Sequence, residues 1–376
     1  MPLPLTAVFA DLPDPRRETA NKLHALTDIL VLATCAVLGG CDTWDDIAEY
    51  GVTKQAFFRR FLALPNGIPS ADTFARVFAA LRPDAFAQAF GRWMAAACDG
   101  TGLVPIALDG KAVRSAPANT ATGCLTVVSA WATENRLTLG QVVVPEGSNE
   151  IGVIPELLRV LDLSGALVTI DAAGCQTENA AVIRRQGGHY VLAVKGNPPT
   201  LRATVEGAFE RAVAAEFVGV RHDQHASEAD GHGRHEERSV TVVYDPTGLP
   251  AEWVGAKAVV PVCRERVVNG VRTSTTHYDL SSHAGSAAEL GGVVRGHWGI
   301  ENGLHWMLDV VFGEDASRVR AGHAGANLAM VRKVAVSLLR RAPGKQTTPT
   351  KRKKAGWDDD YLLLVLQGIP PLNTDS

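Results

Sequence analysis

The chain has 376 residues, 46% of them hydrophobic and 20% charged, with a net charge of −3 and a pI near 6.4. A length of this order calls for two or three domains, and the near-neutral balance excludes a chain that is basic throughout, the usual footprint of a nucleic-acid-coating protein. The charge is uneven, however. Residues 291–356 hold 12 Lys/Arg against 4 Asp/Glu, a local balance of +8, which suits a protein that offers phosphate one face. The six cysteines, Cys35, Cys41, Cys98, Cys124, Cys175 and Cys263, include no CxxC pair, so reduced thiols are expected rather than a zinc knuckle or redox motif. The N-terminal MPLPLTAVFADLPDPRRE has no basic region leading into an apolar core, and so is not a secretory signal. The longest apolar stretch, Ile29 to Cys41, is about 13 residues against the roughly 20 of a membrane span. A cytoplasmic protein with no membrane partner is expected.

In chain order, residues 1–100 read as a helical N-terminal domain. Ala25 to Leu38 is a nearly all-apolar helix closed by Gly39-Gly40. Thr43 to Glu49 and Lys54 to Leu62 have short amphipathic patterns, Ser70 is an N-cap, and Pro83 opens a helix toward Cys98. With Arg59, Arg60 and Arg76 displayed, this region is either a helix-turn-helix DNA reader or a small bundle that packs on the next domain. The pattern changes near Thr101. Strands are expected at 103–108, 125–132 and 137–144, a helix at 151–161, a strand at 166–170, a helix at 178–186 and a strand at 190–194. Three strands followed by alternating helix and strand are the element order of the ribonuclease-H-like fold, a mixed sheet with flanking helices. Residues 101–220 are read as the first part of such a core. Residues 221–283 are read as a β-rich insertion that begins with a polar, His-rich loop at 221–238. Residues 284–342 are read as the second part of the core, and 343–376, with Lys351-Arg352-Lys353-Lys354, as a basic flexible tail.

Two aspartates follow apolar strands directly. Asp109 ends Val104-Pro105-Ile106-Ala107-Leu108, and Asp171 ends Leu167-Val168-Thr169-Ile170. Strand ends in a helix-covered sheet are where side chains converge on ligands, and a carboxylate there is costly to bury unless it is paired or binds a cation. A third acid, Glu301, lies in a segment expected to be helical from Ala287 to about Val311. His297, Glu301 and His305 would fall at i, i+4 and i+8 on one face beside Trp298 and Trp306. An amphipathic interface helix and a His-Glu-His metal site remain alternatives for that segment. The zinc alternative is the weaker, because HExxH helices pair histidines one turn apart. The histidines at 222, 225, 232 and 235 are read as loop residues, Trp253 as a core residue, and Gly344-Lys345-Gln346 does not make a P-loop.

The strings Leu108-Asp109-Gly110-Lys111, Thr169-Ile170-Asp171-Ala172, Val194-Lys195-Gly196-Asn197 and His297-Trp298-Gly299-Ile300-Glu301-Asn302 resemble the DDE transposases of bacterial insertion sequences, in particular the subfamily that includes the H-repeat-associated proteins. The likeness continues through Leu304-His305-Trp306, Leu308-Asp309-Val310 and Phe312-Gly313-Glu314-Asp315, and through Asp14-Pro15-Arg16-Arg17 and Pro69-Ser70. It implies that Asp109, Asp171 and Glu301 form the acidic triad and hold two Mg²⁺ or Mn²⁺ ions, hard cations that favour carboxylate oxygens. It also implies double-stranded DNA, as element ends and target, for a partner, action as a homodimer or larger assembly, and association with the nucleoid when DNA-bound. The wider group carries a Tyr and an Arg before the Glu and a Lys after it. Here Val294, His297 and Leu308 stand at those places, with Arg295 out of register, and Asp309 and Glu314 are rival acids. Candidate DNA contacts are Lys111, Arg114, Lys195, Arg234, Arg295, His297 and His305. The function so implied is cleavage and strand transfer at element ends. A metal-dependent nuclease without strand transfer, or a catalytically silent DNA-binding relative, is the alternative.

Overall fold

Two parts of the chain cluster as compact units, and β1 threads both. The first comprises residues 1–99, 110–149 and 301–376, the second residues 100–109 and 150–300. The structure is a computed structural model that describes residues 4–20, 22–98, 103–117, 124–196, 199–231, 234–268 and 271–368. Of residues 4, 114–117, 199, 231 and 234 only the backbone is described.

The first unit opens with six helices: α1 (Pro4–Val8), α2 (Leu26–Leu38), α3 (Trp44–Thr53), α4 (Gln55–Phe58), α5 (Ala71–Ala80) and α6 (Pro83–Ala95). The expected apolar helix is α2, buried on every side, as an all-round apolar helix must be. Its neighbours start where the caps predict. Thr43 and Asp46 form a reciprocal capping box on α3, Ser70 accepts from the Thr73 N–H on α5, and Pro83 occupies the first turn of α6. Phe74, Phe78, Phe86, Phe90 and Trp93 are fully buried, so the helical region has a core of its own.

The sheet has nine strands: β1 (Val104–Pro117), β2 (Cys124–Ala132), β3 (Leu137–Val143), β4 (Ala166–Ile170), β5 (His189–Val194), β6 (His222–Gly231), β7 (Arg234–Tyr244), β8 (Ala258–Val268) and β9 (Val271–Ser281). Their order is β3-β2-β1-β4-β5-β9-β8-β7-β6. The five strands of the expected ribonuclease-H-like core are adjacent, with β4 parallel to both β1 and β5 and β2 antiparallel to β3. The connecting helices of the second unit are α7 (Glu150–Val160), α8 (Thr177–Arg185), α9 (Pro199–Ala214) and α10 (Ala287–His297). Valines of β7 and β8 join Leu167, Val191, Ala287, Leu290 and Val293 in one apolar cluster under α10. The β-rich segment therefore continues the core sheet through the β5–β9 pairing.

Three expectations change. The polar loop at 221–238 is strand β6 and the first half of β7, paired residue by residue from His222 with Val243 to Gly231 with Arg234. It carries no apolar alternation, because much of both its faces is polar. The helix expected from Ala287 to Val311 is broken: α10 ends at His297, Glu301–His305 is a π-helical turn, and α11 is Trp306–Val310. The i, i+4, i+8 stack assumed an unbroken α-helix, and the wider π turn removes that register. Of the expected tail, residues 343–368 are not a flexible strand of charge, and residues 369–376 lie outside the described residues. After a 3-10 turn at Glu314–Ala316 and α12 (Ala324–Arg341) the chain forms α13 (Thr348–Trp357) and α14 (Asp359–Gln367). Arg352 anchors it, stacked on Phe312 at 4.1 Å, donating to the Val37 and Val311 carbonyls and paired with Asp42 at 2.7 Å.

Candidate active site

In the second unit, the register Leu108 with Ile170 ends the β1–β4 ladder one residue before each aspartate. Asp171 thus follows the end of β4, whereas Asp109 lies inside β1, which runs on to Pro117 rather than ending at Leu108 as expected; both stand one residue past the last β1–β4 pair, on backbones about 5 Å apart. Asp171 Oδ1 accepts from the Ala173 and Gly174 N–H groups at 3.1 and 3.2 Å, an Asx-type turn that fixes the carboxylate at the strand end. Behind it, His297 Nδ1 and Thr169 Oγ1 share a hydrogen bond of 2.9 Å. Burial lowers the His297 pKa, with the Asp171 charge opposing. A neutral ring held in this way is a support for the strand end rather than a cation for phosphate. Glu150, at the start of α7, was not singled out in the sequence. Burial and then the Asp171 charge raise its pKa, so Glu150 lies near enough to Asp171 for the two charges to interact. Its adjacency arises from chain folding and leaves no spacing signal.

In the first unit, Glu301 opens the π turn and is exposed. The turn is held from behind: Arg340 Nη2 donates to the Gly303 carbonyl at 2.6 Å, while the guanidinium lies 5.9 Å from the Trp131 ring centre. The rival acids have another partner. Lys111, 7% exposed, pairs with Asp309 at 2.7 Å, with fully buried Glu314 at 3.4 Å and with Asp315 at 3.5 Å. Burial works against the Lys111 charge, but Glu314, Asp309 and Asp315 outweigh it and raise its pKa. Lys111 therefore ties the end of β1 to the 309–315 segment. His305 is pushed down to about 3 by burial and by Lys333 and Lys111, so it is neutral. Lys195 and Arg295 are exposed. The side chains of Arg114 and Arg234 lie outside the described residues, though the Arg234 backbone pairs with Gly231 and Val268. Among the described residues no group of three His, Cys, Asp or Glu side chains is gathered closely enough to hold an ion.

Residues 6–94 match the family model of the DDE_Tnp_1-associated domain, and residues 96–338 match that of the transposase DDE domain. The chain belongs to the DDE transposase family. It is 36% identical over 361 residues to the H repeat-associated protein YhhI of Escherichia coli (strain K12), covering 94% of this chain and 95% of the relative. It is 43% identical over 280 residues to a protein of the dhlA 3′ region of Xanthobacter autotrophicus, covering 73% and 93%. Its fold resembles the piggyBac transposase in a synaptic complex with hairpin DNA, with a TM-score of 0.41 and 8% identity over 99% of this chain and 79% of that one. The boundary between the two family models, at residues 94–96, falls just before β1, the strand that carries Asp109 in this DDE transposase. No described helix is long and apolar enough to cross a membrane.

Proposed function

We propose that this transposase cuts phosphodiester bonds at the ends of its element and joins the freed strands to target DNA, with Asp109, Asp171 and Glu301 as the acids. The observation that supports the reading is the end of the β1–β4 ladder at Leu108 and Ile170, one residue before Asp109 and Asp171. Divalent ions are the cofactor the family generally uses. The two aspartates fit such an ion by donor chemistry, since carboxylate oxygens are the hard ligands it prefers. Glu301 is the third ligand by its place in the family motif. A divalent ion, when bound, supplies charge neutralisation for an in-line displacement at phosphorus.

The chain's own residues supply the placement. The Asx-type turn fixes Asp171, His297 braces Thr169 beneath it, and Arg340 holds the turn that begins with Glu301. Hydrolysis adds water across one P–O bond and leaves a 3′-OH and a 5′-phosphate. In strand transfer that 3′-OH attacks a target phosphodiester, one P–O bond forms as another breaks, and no protein nucleophile is consumed. Assembly as a dimer or larger complex on double-stranded DNA belongs to the same proposal.

The test is a cleavage assay on a duplex carrying the inverted repeats that flank the gene, with Mg²⁺, for Asp109→Ala, Asp171→Ala and Glu301→Ala. Loss in all three variants is expected, and full activity in any one removes that residue from the site. Joined products distinguish a transposase from a nuclease that only nicks.

A further inference from the structure

The second unit carries a charged surface that the acids do not use. Strand β9 last pairs with β5 at Tyr278, opposite Val194. Val271–His277, with the paired halves of β8, β7 and β6, runs on past β5 as a four-stranded ribbon about 20 Å long. Alternation fixes what each face of this ribbon shows. Val240 and Val262 pair with each other and lie in the apolar cluster under α10. Two and four residues further along, Arg238 and Glu236 on β7, and Arg264 and Arg266 on β8, share that face. His277 pairs with Val262 and joins them. Thr169 also meets α10, through His297, so Asp171 leaves the sheet on this same face.

The opposite face of the ribbon differs in sign. It shows Glu228, Glu237 and Glu265, with Arg272 bound to Glu265 at 2.6 Å. Helix α9 packs on that side, where Phe209 and Arg202 both meet the Tyr278 ring.

The basic face is organised. Glu236 bonds Arg238 at 3.0 Å and Arg266 at 2.9 Å, which orients two guanidinium groups with one carboxylate. Burial works against the Glu236 charge, but the bond to Arg266 and the nearby Arg238 and Arg264 lower its pKa overall. His277 is kept neutral by burial and by Arg264, Lys195 and Arg238, so exposed Lys195 belongs to the same cluster. Four cations against one carboxylate give this face a positive balance in a chain of net charge −3, with Lys195 exposed, Arg264 and Arg266 half-buried and Arg238, at 16% exposure, the least accessible.

We propose that this basic face of the β6–β9 ribbon is a binding surface for the backbone of duplex DNA, with Lys195, Arg238, Arg264 and Arg266 on phosphates of the duplex that enters at Asp171. Four strands span about 14 Å, more than the roughly 12 Å of a major groove. The ribbon therefore lies across backbones and adds affinity without reading sequence. The proposal rests on the transposase reading for its partner, and its test is kept apart from cleavage.

Full-length protein is titrated without divalent metal against two labelled duplexes of equal length, one carrying the element end and one of random sequence, at several salt concentrations between 50 and 200 mM. Lys195→Gln/Arg264→Gln is expected to weaken binding to both duplexes by about tenfold and to flatten the salt dependence by about two counterions. Arg272→Gln, on the opposite face, is expected to match the unsubstituted protein. Since removing Arg238 or Arg266 alone would strand Glu236, a second variant, Glu236→Gln/Arg238→Gln/Arg266→Gln, replaces the network as a unit and is expected to give the same direction of change. Unchanged affinity and slope in both variants, or losses confined to single-stranded DNA, RNA or anionic vesicles, overturn the proposal. Absence of cleavage by the unsubstituted protein overturns the catalytic reading and leaves this binding result intact.

Discussion

Lys111 lies two residues beyond Asp109, in a segment whose sequence suggests phosphate contact, yet its ammonium is spent inside the protein. Its decisive partner is Glu314, which is fully buried, whereas Asp309 and Asp315 are 38% and 32% exposed. Exposed pairs contribute little, but a buried carboxylate that loses its cation is costly. Lys111→Met is therefore expected to destabilise the fold by about 3 kcal/mol in urea denaturation, and Lys111→Met/Glu314→Gln to restore most of it. An unchanged midpoint in the single variant would show that the pair contributes nothing. Asp279, on β9 between Ala193 and Val260, raises a different question. Burial alone pushes its pKa from 3.8 up to about 7. The unfolded chain ionises first as pH rises, so the native state binds the extra proton between pH 4 and 7, and stability falls across that window. The full effect is at most about 4 kcal/mol. Asp279→Asn is expected to flatten stability between pH 5 and 8 and to be the more stable form at pH 8. A pH dependence equal to that of the unsubstituted protein would assign the effect to another group.

At the scale of elements, the break between α10 and α11 decides how Glu301 is presented. A π turn leaves backbone carbonyls displaced from their α-helical partners, and Arg340 on α12 answers at Gly303. Arg340→Met removes that donor while keeping a long apolar stem over Trp131. Cleavage at element ends is expected to fall by at least tenfold with end binding unchanged, which a binding titration beside a single-turnover assay would show. Equal losses in binding and cleavage would mean the turn serves DNA contact instead. This turn was not legible in the sequence, since Glu301–His305 has the apolar spacing of an ordinary helix and π geometry comes from tertiary contacts such as Arg340. The β6 strand escaped for a related reason: its own residues are mostly polar on both faces, so period-two alternation is absent. By contrast α2 and β4 were readable to within a residue or so, because each is buried enough for its apolar pattern to be set by the core.

For the molecule as a whole, the excess of positive charge in residues 291–356 lies only partly on the surface. Arg332, Lys333, Lys351 and Arg352 from that stretch are all buried. Lys333 bonds Gln141 at 2.8 Å and burial takes its pKa down to about 8, while Lys351 donates to the Ala342 carbonyl. Linear charge counting misses this because long basic side chains can bury their stems and spend their head groups on carbonyls. The apolar runs before Asp109 and Asp171 were legible as strands, though β1 runs on past Asp109 to Pro117, while the place of Glu150 near Asp171 was not. The proposed site bears on the stability of the entire chain. If the proposed site gathers both carboxylates, Asp171→Asn is expected to melt slightly higher than the unsubstituted protein in EDTA, a cost of the kind functional sites carry. An ion that binds only the folded state adds stability by mass action, about 1.4 kcal/mol at a tenfold excess over its dissociation constant. Addition of about 10 mM Mg²⁺ is expected to raise the melting temperature of the unsubstituted protein by about 1–3 °C and to leave Asp109→Asn/Asp171→Asn unmoved. A rise that persists in the double variant would place the ion elsewhere, and would remove the metal role from the two aspartates whatever the cleavage assay gave.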